Sequence, residues 1–153
     1  MTEVLVHKMQ YFGGRAESDL NLVKYEDKYY DQYRKVSCDC FRSLSLATNM
    51  DPDRFYTRED LMEMKDSVLI LLIKDEVVGA VETGDGSIEH LFVKTTHQNK
   101  GYGKKLLDYG IKRLQQESDK PVTLYVDDLN KSAIRLYENN GFKIVESVID
   151  NWG

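Results

Sequence analysis

The chain has 153 residues, 41% of them hydrophobic and 31% charged, and its formal net charge is −5. This length and composition fit one globular domain over residues 1–153, and the acidic balance argues against nucleic-acid binding, which needs a basic face. No apolar run in the sequence approaches the roughly 20 residues of a membrane helix, and no signal peptide is visible. We therefore expect a cytoplasmic protein that makes no membrane contact.

The first part of the chain predicts two strands and two helices. Residues 2–12 alternate loosely as a strand, and residues 20–25 have the pattern of a second, shorter one. Apolar residues at helical spacing follow from Asp27, the expected N-cap. Thr57 and Asp60 resemble a capping box with Asp in the place of the usual Glu, which predicts a short second helix.

The middle of the chain has the period of β-strands. Residues 68–73, 77–81 and 87–93 are apolar, β-branched runs joined by short turns. Strands connected in this way must be antiparallel neighbours, so this part predicts an antiparallel meander.

Two helix-linked strands complete the predicted sheet. An amphipathic helix begins near Gly103 and leads to a strand over residues 121–126, which the helical connection makes parallel to the strand before it. Asn130 is placed to cap a further helix, and Gly141 fits the left-handed position that ends one. With a last strand over residues 142–149, the predicted fold is α/β, an antiparallel meander running into a parallel, helix-linked strand pair.

The segment from Gln98 to Lys104 follows a strand and opens a helix, an arrangement that binds phosphate. Gly101 and Gly103 allow a ligand to approach the backbone, and the free amides of a helix start favour a phosphate or pyrophosphate. Lys100 and Lys104 add positive charge in an acidic chain. A solvated loop with a glycine turn is the alternative interpretation.

Two other kinds of phosphate loop fit this segment less well. A Walker A loop needs four residues between its first glycine and Gly-Lys, a spacing that this sequence lacks. A Rossmann loop needs a third glycine where Leu106 stands, although Asp127 follows about 20 residues on, as that motif requires. The longer loop and the preceding meander make a Rossmann-type nucleotide binder the weaker hypothesis.

Three segments together resemble the GNAT superfamily of N-acetyltransferases. They are residues 88–93, the loop with Gln98, Gly101 and Gly103, and residues 130–142, which contain an Asn–helix–Tyr–Gly–Phe run. The resemblance extends over residues 68–149, the expected acetyl-coenzyme A core. Residues 1–67 look generic, as acceptor-side regions of this family usually do.

The resemblance implies that acetyl-coenzyme A (acetyl-CoA) is the acetyl donor. Its pantetheine arm would lie along Leu91, Phe92 and Val93, where a backbone amide can polarise the thioester carbonyl. Asn130 would contact this arm, and the small Ala133 would let the cofactor pass. The loop residues that the resemblance assigns to the pyrophosphate are Gln98, Asn99, Lys100, Gly101, Tyr102, Gly103 and Lys104.

The same resemblance makes Tyr137 the general acid that protonates the departing thiolate. Spacing alone favours a core aromatic above Phe142, and it is the resemblance that favours the catalytic role. No serine or cysteine lies in a recognisable nucleophile setting, and the spacing of Cys38 and Cys40 does not fit a metal site on a helix. We therefore expect direct transfer, with no metal and no covalent enzyme intermediate.

Glu89 is the candidate base that takes the proton from the acceptor. On an alternating strand it would share a face with Leu91 and Val93, an apolar setting that suits a base near neutral pH. Glu82, His90 or a water chain are the alternatives.

The expected reaction is transfer of an acetyl group to a primary amine of a small molecule or a protein. An acidic chain suits such a cationic acceptor, because a negative field attracts it. A catalytically silent acyl-CoA sensor or scaffold is the alternative function. The sequence does not specify the acceptor.

The end of the chain departs from the GNAT pattern. Members usually continue through two strands that pair as a hairpin, whereas only four residues follow residues 142–149 here. The open edge would need a partner, either the strand of residues 2–12 or a second copy of the chain. Trp152 indicates that this end packs against something. We therefore predict a homodimer around the C-terminal edge.

Overall fold

The computed structural model describes the backbone of residues 2–152 and the side chains of residues 3–150. These residues form seven strands and four α-helices. The strands are β1 (Thr2–Tyr11), β2 (Val23–Lys24), β3 (Val68–Ile73), β4 (Glu76–Thr83), β5 (Ser87–Val93), β6 (Thr123–Asp127) and β7 (Phe142–Trp152). The helices are α1 (Tyr30–Ala47), α2 (Arg58–Glu63), α3 (Tyr102–Glu117) and α4 (Lys131–Glu138).

One mixed sheet holds all seven strands in the order β2-β3-β4-β5-β6-β1-β7. β3, β4 and β5 are antiparallel neighbours, whereas β5 and β6 are parallel, as the helical connection predicts. One face carries an apolar cluster under α3 and α4, and the other face carries a second cluster under α1 and α2. The predicted mixed α/β fold is confirmed.

The N-terminal strand pairs, within the same chain, with the C-terminal strand whose edge the sequence analysis left open. β1 lies between β6 and β7 and is antiparallel to both. Its side chains at Val4, Val6 and Met9 are buried, so burial as well as backbone pairing holds it there. The edge that the sequence analysis left open is therefore paired internally, and β1 belongs to the central sheet. The side chain of Trp152 lies outside the described residues.

Most helix boundaries follow the predicted signals, with one exception. The capping box is confirmed, because the Thr57 side chain accepts from the Asp60 amide and the Asp60 side chain accepts from the Thr57 amide. Asn130 caps α4, and Gly141 has φ of 94°. Asp27 is not the N-cap of α1: it opens a short 3-10 turn, and α1 begins after that turn without a side-chain cap.

A β-bulge changes the orientation of side chains along β5. Glu82 pairs with His90 and Thr83 pairs with Ile88, which leaves Glu89 without a partner on β4. The extra residue interrupts the alternation, and the buried Ile88 takes the face toward α3. The bulge therefore interrupts the strict alternation from which the sequence analysis placed Glu89 on the face of Leu91 and Val93.

Candidate active site

The parallel strands β5 and β6 pair over a short stretch and then separate. Ser87 pairs with Thr123 and Ile88 pairs with Leu124, and no further pair joins the two strands within the described chain. The backbone of residues 91–93 therefore lacks a strand partner on the side of β6. An opening forms between the two strands, and we refer to it as the splay cleft.

The splay cleft has a volume of about 310 Å³ and lies between the end of β5, the start of α3 and one face of α4. The predicted site residues that line it are Leu91, Phe92, Val93, Gln98, Asn99, Tyr102, Gly103, Asn130, Ala133 and Tyr137. Side chains that the sequence analysis missed complete the lining, and they are Cys40, Phe41, Leu44, His97, Ser132 and Leu136. Four predicted residues do not line it, namely Glu89, Lys100, Gly101 and Lys104.

The loop before α3 is shaped by its own hydrogen bonds and by glycine. Gln98 Nε2 donates to the Val93 carbonyl over 2.9 Å, which ties the loop to the end of β5. Gly101 has φ of 88°, a left-handed conformation that favours glycine, and α3 starts directly after it. The first bond of the helix runs from the Lys105 amide to the Gly101 carbonyl, so the amides of residues 102–104 are free for a ligand.

The two lysines of the loop lie beside the cleft. Lys104 Nζ is 2.7 Å from an Asp108 carboxylate oxygen one turn along α3, which offsets part of its charge. Lys100 is exposed. The positive charge near the start of α3 therefore comes from Lys100 and from the helix dipole.

Asn130 has a structural role at the edge of the cleft. Its Oδ1 accepts from the Ala133 amide over 3.4 Å and so caps α4. Because both residues also line the splay cleft, the cap fixes the wall that they form.

Tyr137 is both a core aromatic and a residue of the cleft. Its side chain is 8% exposed, and its ring centroid lies 5.8 Å from that of Phe142. Burial raises the pKa of Tyr137 to about 12, so the hydroxyl is protonated near neutral pH and can donate. Tyr137 therefore packs against Phe142 in the core and also lines the cleft.

A second and larger cavity adjoins the splay cleft, and we call it the α1 cavity. Its volume is about 510 Å³, and Phe41 and Leu44 of α1 line both openings. Residues 37–60 supply all of its lining except His90 and Asp127. The sequence analysis missed this cavity, because helical periodicity identifies the face of α1 that packs but not the neighbouring residues that border a space.

His90 reaches the α1 cavity from β5. Its Nε2 lies 3.0 Å from Ser37 Oγ, and its ring centroid is 4.8 Å from that of Phe41. Burial lowers the pKa of His90, while the nearby Glu82 carboxylate acts in the opposite direction. The imidazole is therefore neutral near pH 7 and can accept a proton.

Glu82 is buried on β4 and already engaged. Its carboxylate accepts hydrogen bonds from the hydroxyls of Tyr33 and Tyr56. Burial, and then the Glu82 charge, raise the pKa of both tyrosines. These bonds link the Glu82 side chain on the sheet to Tyr33 of α1 and to Tyr56.

Glu89 lines neither cavity, but it lies close enough to Tyr56 of the α1 cavity for its charge, after burial and Glu82, to raise the pKa of that tyrosine. Its side chain is exposed, and its Oε1 accepts from Ser87 Oγ over 2.6 Å. The structure therefore does not bring Glu89 and Tyr137 together in the splay cleft. The β-bulge beside Glu89 depends on how β4 pairs with β5, and the sequence pattern alone does not reveal that pairing.

The sequence profile described as the Acetyltransferase (GNAT) family matches residues 30–142, most of the chain. The chain belongs to the GNAT acetyltransferase family. This membership confirms the resemblance of the three sequence segments, and it accounts for the splayed strands and the glycine loop before α3.

Solved structures of other GNAT proteins share the fold. A GNAT acetyltransferase from Colwellia psychrerythraea matches with a TM-score of 0.72 at 11% identity, over 97% of this chain and 56% of its own. The PaiA N-acetyltransferase of Thermoplasma acidophilum, in complex with coenzyme A, matches with a TM-score of 0.67 at 17% identity. That match covers 80% of this chain and 89% of PaiA.

A curated relative is the mycothiol acetyltransferase of Corynebacterium diphtheriae. It is 27% identical over 128 residues, which are 76% of this chain and 42% of the relative. The matched part of this chain thus spans less than half of that relative's length.

The described residues also bear on membranes and metals. No helix within residues 2–152 has the length and apolar character needed to cross a bilayer. The same residues contain no group of three or more His, Cys, Asp and Glu side chains arranged to hold a metal ion.

Proposed function

We propose that this protein transfers the acetyl group of acetyl-CoA directly to a primary amine. The observation that carries the proposal is the splay cleft, where the free backbone of β5, the start of α3 and Tyr137 meet in one opening. Family membership supports it, and so does the fold that this chain shares with a coenzyme A complex. A protein that binds coenzyme A but transfers no acetyl group would instead be a catalytically silent acyl-CoA sensor or scaffold.

The cleft has the groups that a coenzyme A thioester requires. The free amides of residues 102–104 and the positive end of α3 fit a pyrophosphate. The backbone of Leu91 and Phe92, which has no strand partner on the side of β6, fits the amides of a pantetheine arm, because buried peptide groups need partners. The Val93 carbonyl already accepts from Gln98. Asn130 and Ala133 form the opposite wall.

Tyr137 is the proposed general acid. It is buried in the cleft wall and remains protonated well above neutral pH, because burial raises its pKa to about 12. A donor in that position stabilises a departing thiolate and delivers a proton to it.

The base is proposed to come from β5. His90 lines the α1 cavity and is neutral near pH 7, so an amine bound in that cavity has a proton acceptor beside it. Glu89, the carboxylate that the sequence indicates, is exposed and bonded to Ser87, so it would act through water. The position of His90 favours the imidazole, with Glu89 as the second candidate.

The first test concerns the pyrophosphate loop. A Cβ at residue 103 would meet Leu136 Cδ2 at 3.5 Å, an ordinary contact, so Gly103→Ala should fold and bind normally. Gly103→Glu adds a carboxylate where we place a phosphate, so it should lose most of the rise in melting temperature that coenzyme A gives the wild type. Differential scanning fluorimetry at several coenzyme A concentrations measures this. Equal shifts for both variants would contradict the assignment of the loop.

A second test concerns Tyr137. Tyr137→Phe removes one hydroxyl and little volume, so kcat should fall by roughly 10²–10⁴-fold while coenzyme A still raises the melting temperature. Tyr109→Phe removes a hydroxyl outside the cleft and should keep wild-type turnover. The readout is thiol release with a panel of primary amines under conditions where chemistry limits the rate. Unchanged turnover in Tyr137→Phe would leave Tyr137 with a packing role only.

A third test identifies the base from pH profiles. A neutral His90 must accept the proton, and burial lowers its pKa from 6.5, so kcat/KM should fall only below about that pH in the wild type. His90→Gln should lower the rate and remove this acid limb, whereas Glu89→Gln should keep it. The opposite pattern would assign the base to Glu89.

We further propose a homodimer through β7. This strand is outermost in the sheet, so one of its edges has no strand partner among residues 2–152. It also exposes large apolar side chains, namely Ile144, Val145, Val148 and Ile149. A long edge with apolar side chains is a ready template for pairing with another chain.

Sedimentation velocity at micromolar concentration tests the dimer. The wild type should sediment as a dimer, and Ile149→Lys should shift it to monomer, because a charge on an edge opposes pairing. Leu46→Lys changes a similarly exposed apolar residue at the end of α1 and should leave the dimer intact. A monomeric wild type would overturn the proposal.

A further inference from the structure

Asp127 has a buried carboxylate oxygen with no partner. The residue ends β6, and its side chain is 8% exposed. Its Oδ1 accepts from the Leu129 amide over 2.9 Å, whereas Oδ2 is buried and makes no hydrogen bond within residues 2–152. Asp127 also lines the α1 cavity. The unpartnered oxygen therefore belongs to a residue in the wall of that cavity.

Burying such an oxygen costs free energy of folding unless a hydrogen-bond donor contacts it. Burying a polar group without a hydrogen bond opposes folding, and burying a charge opposes it more. Two basic side chains contact the neighbouring Asp128: His7 Nε2 lies 2.7 Å and Lys131 Nζ lies 3.2 Å from its Oδ1. Within the described residues, Oδ2 of Asp127 has no hydrogen-bond partner of its own.

The other charges of the α1 cavity are exposed or engaged. Asp51 accepts from the Asp53 amide, and Asp60 accepts from the Thr57 amide. Arg54 is the single lysine or arginine among the lining residues, and it is exposed. With three carboxylates against one guanidinium, the cavity favours a cation.

The remaining walls of the cavity are largely apolar. Phe41, Phe55 and Tyr56 are among them, and His90 stacks on Phe41. A cavity of about 510 Å³ has the size of a small-molecule site. Aromatic walls with one buried anion suit a small amine that has an apolar body and a protonated end.

We propose that Asp127 determines acceptor specificity, and that its Oδ2 accepts a hydrogen bond from the ammonium group of a small, partly apolar amine held in the α1 cavity. The biological meaning of this proposal rests on the proposed acetyl transfer. Asp127 selects amines over alcohols and thiols, because neither of those carries a cation near neutral pH.

Asp127 acts in binding rather than in proton removal. A carboxylate beside an ammonium favours the charged form of the amine, which opposes deprotonation. The proton must therefore leave to a different group, and His90 lines the same cavity. The expected effect of removing the Asp127 charge is on the KM of the amine.

Direct binding tests the proposal without any need for turnover. Phenethylamine and 2-phenylethanol have the same shape, but only the amine is a cation at pH 7. By isothermal titration to the full chain, the wild type should bind the amine at least about tenfold more tightly than the alcohol. Asp127→Asn should abolish this preference, although the Asn side-chain oxygen can still accept the hydrogen bond from the Leu129 amide. Asp51→Asn makes the same charge change at an exposed position of the cavity and should retain the preference.

Other readouts separate binding from folding and catalysis. Coenzyme A should still raise the melting temperature of Asp127→Asn, which shows that the fold is intact, and Asp127→Glu should recover part of the amine preference. In the transfer assay, Asp127→Asn should raise the amine KM by about tenfold or more at nearly constant kcat. Equal affinity of the wild type for amine and alcohol, or a fall in kcat at constant KM, would overturn the proposal. A protein that fails to transfer acetyl groups but prefers the amine would contradict the proposed function alone.

Discussion

The separation of β5 from β6 is the constraint on which the candidate site depends. Beyond Ile88 and Leu124 the strands no longer pair, and peptide groups that would be satisfied inside a continuous sheet become available to a ligand. The start of α3 and the wall of α4 lie on either side of this opening. Because the strands diverge, one sheet serves both as the core of the domain and as the floor of the cleft.

β1 holds the far wall of that opening in place. β6 diverges from β5 but pairs with β1 over residues 123–127, and β1 pairs in turn with β7. The N-terminal strand thus stabilises the strand that carries Asp127. His7 adds a side-chain link, since its two ring nitrogens contact Asp128 and Ser147 on the neighbouring segments. The position of the site therefore depends on residues far from it in sequence.

The two cavities are lined mainly by different parts of the chain. The splay cleft takes its backbone donors and its tyrosine from residues 91–137, whereas residues 37–60 line most of the α1 cavity. Phe41 and Leu44 line both cavities, so the two cavities are neighbours. In the reaction that we propose, the neutral imidazole and the buried carboxylate of the α1 cavity would bind the amine, and the protonated Tyr137 of the splay cleft would meet the thiolate.

The sequence by itself determined the features whose causes are local. Apolar periodicity predicts β3 to β7 and α3, the glycines predict the loop before α3, and Thr57 and Asn130 predict helix starts, because each depends on neighbours within a few residues. Only the tertiary structure decided which strands are neighbours, and with that the place of β1 and the bulge at Glu89. It also decided that His90 and Asp127 face the α1 cavity. These features arise from contacts between residues distant in sequence, on which local periodicity carries no information.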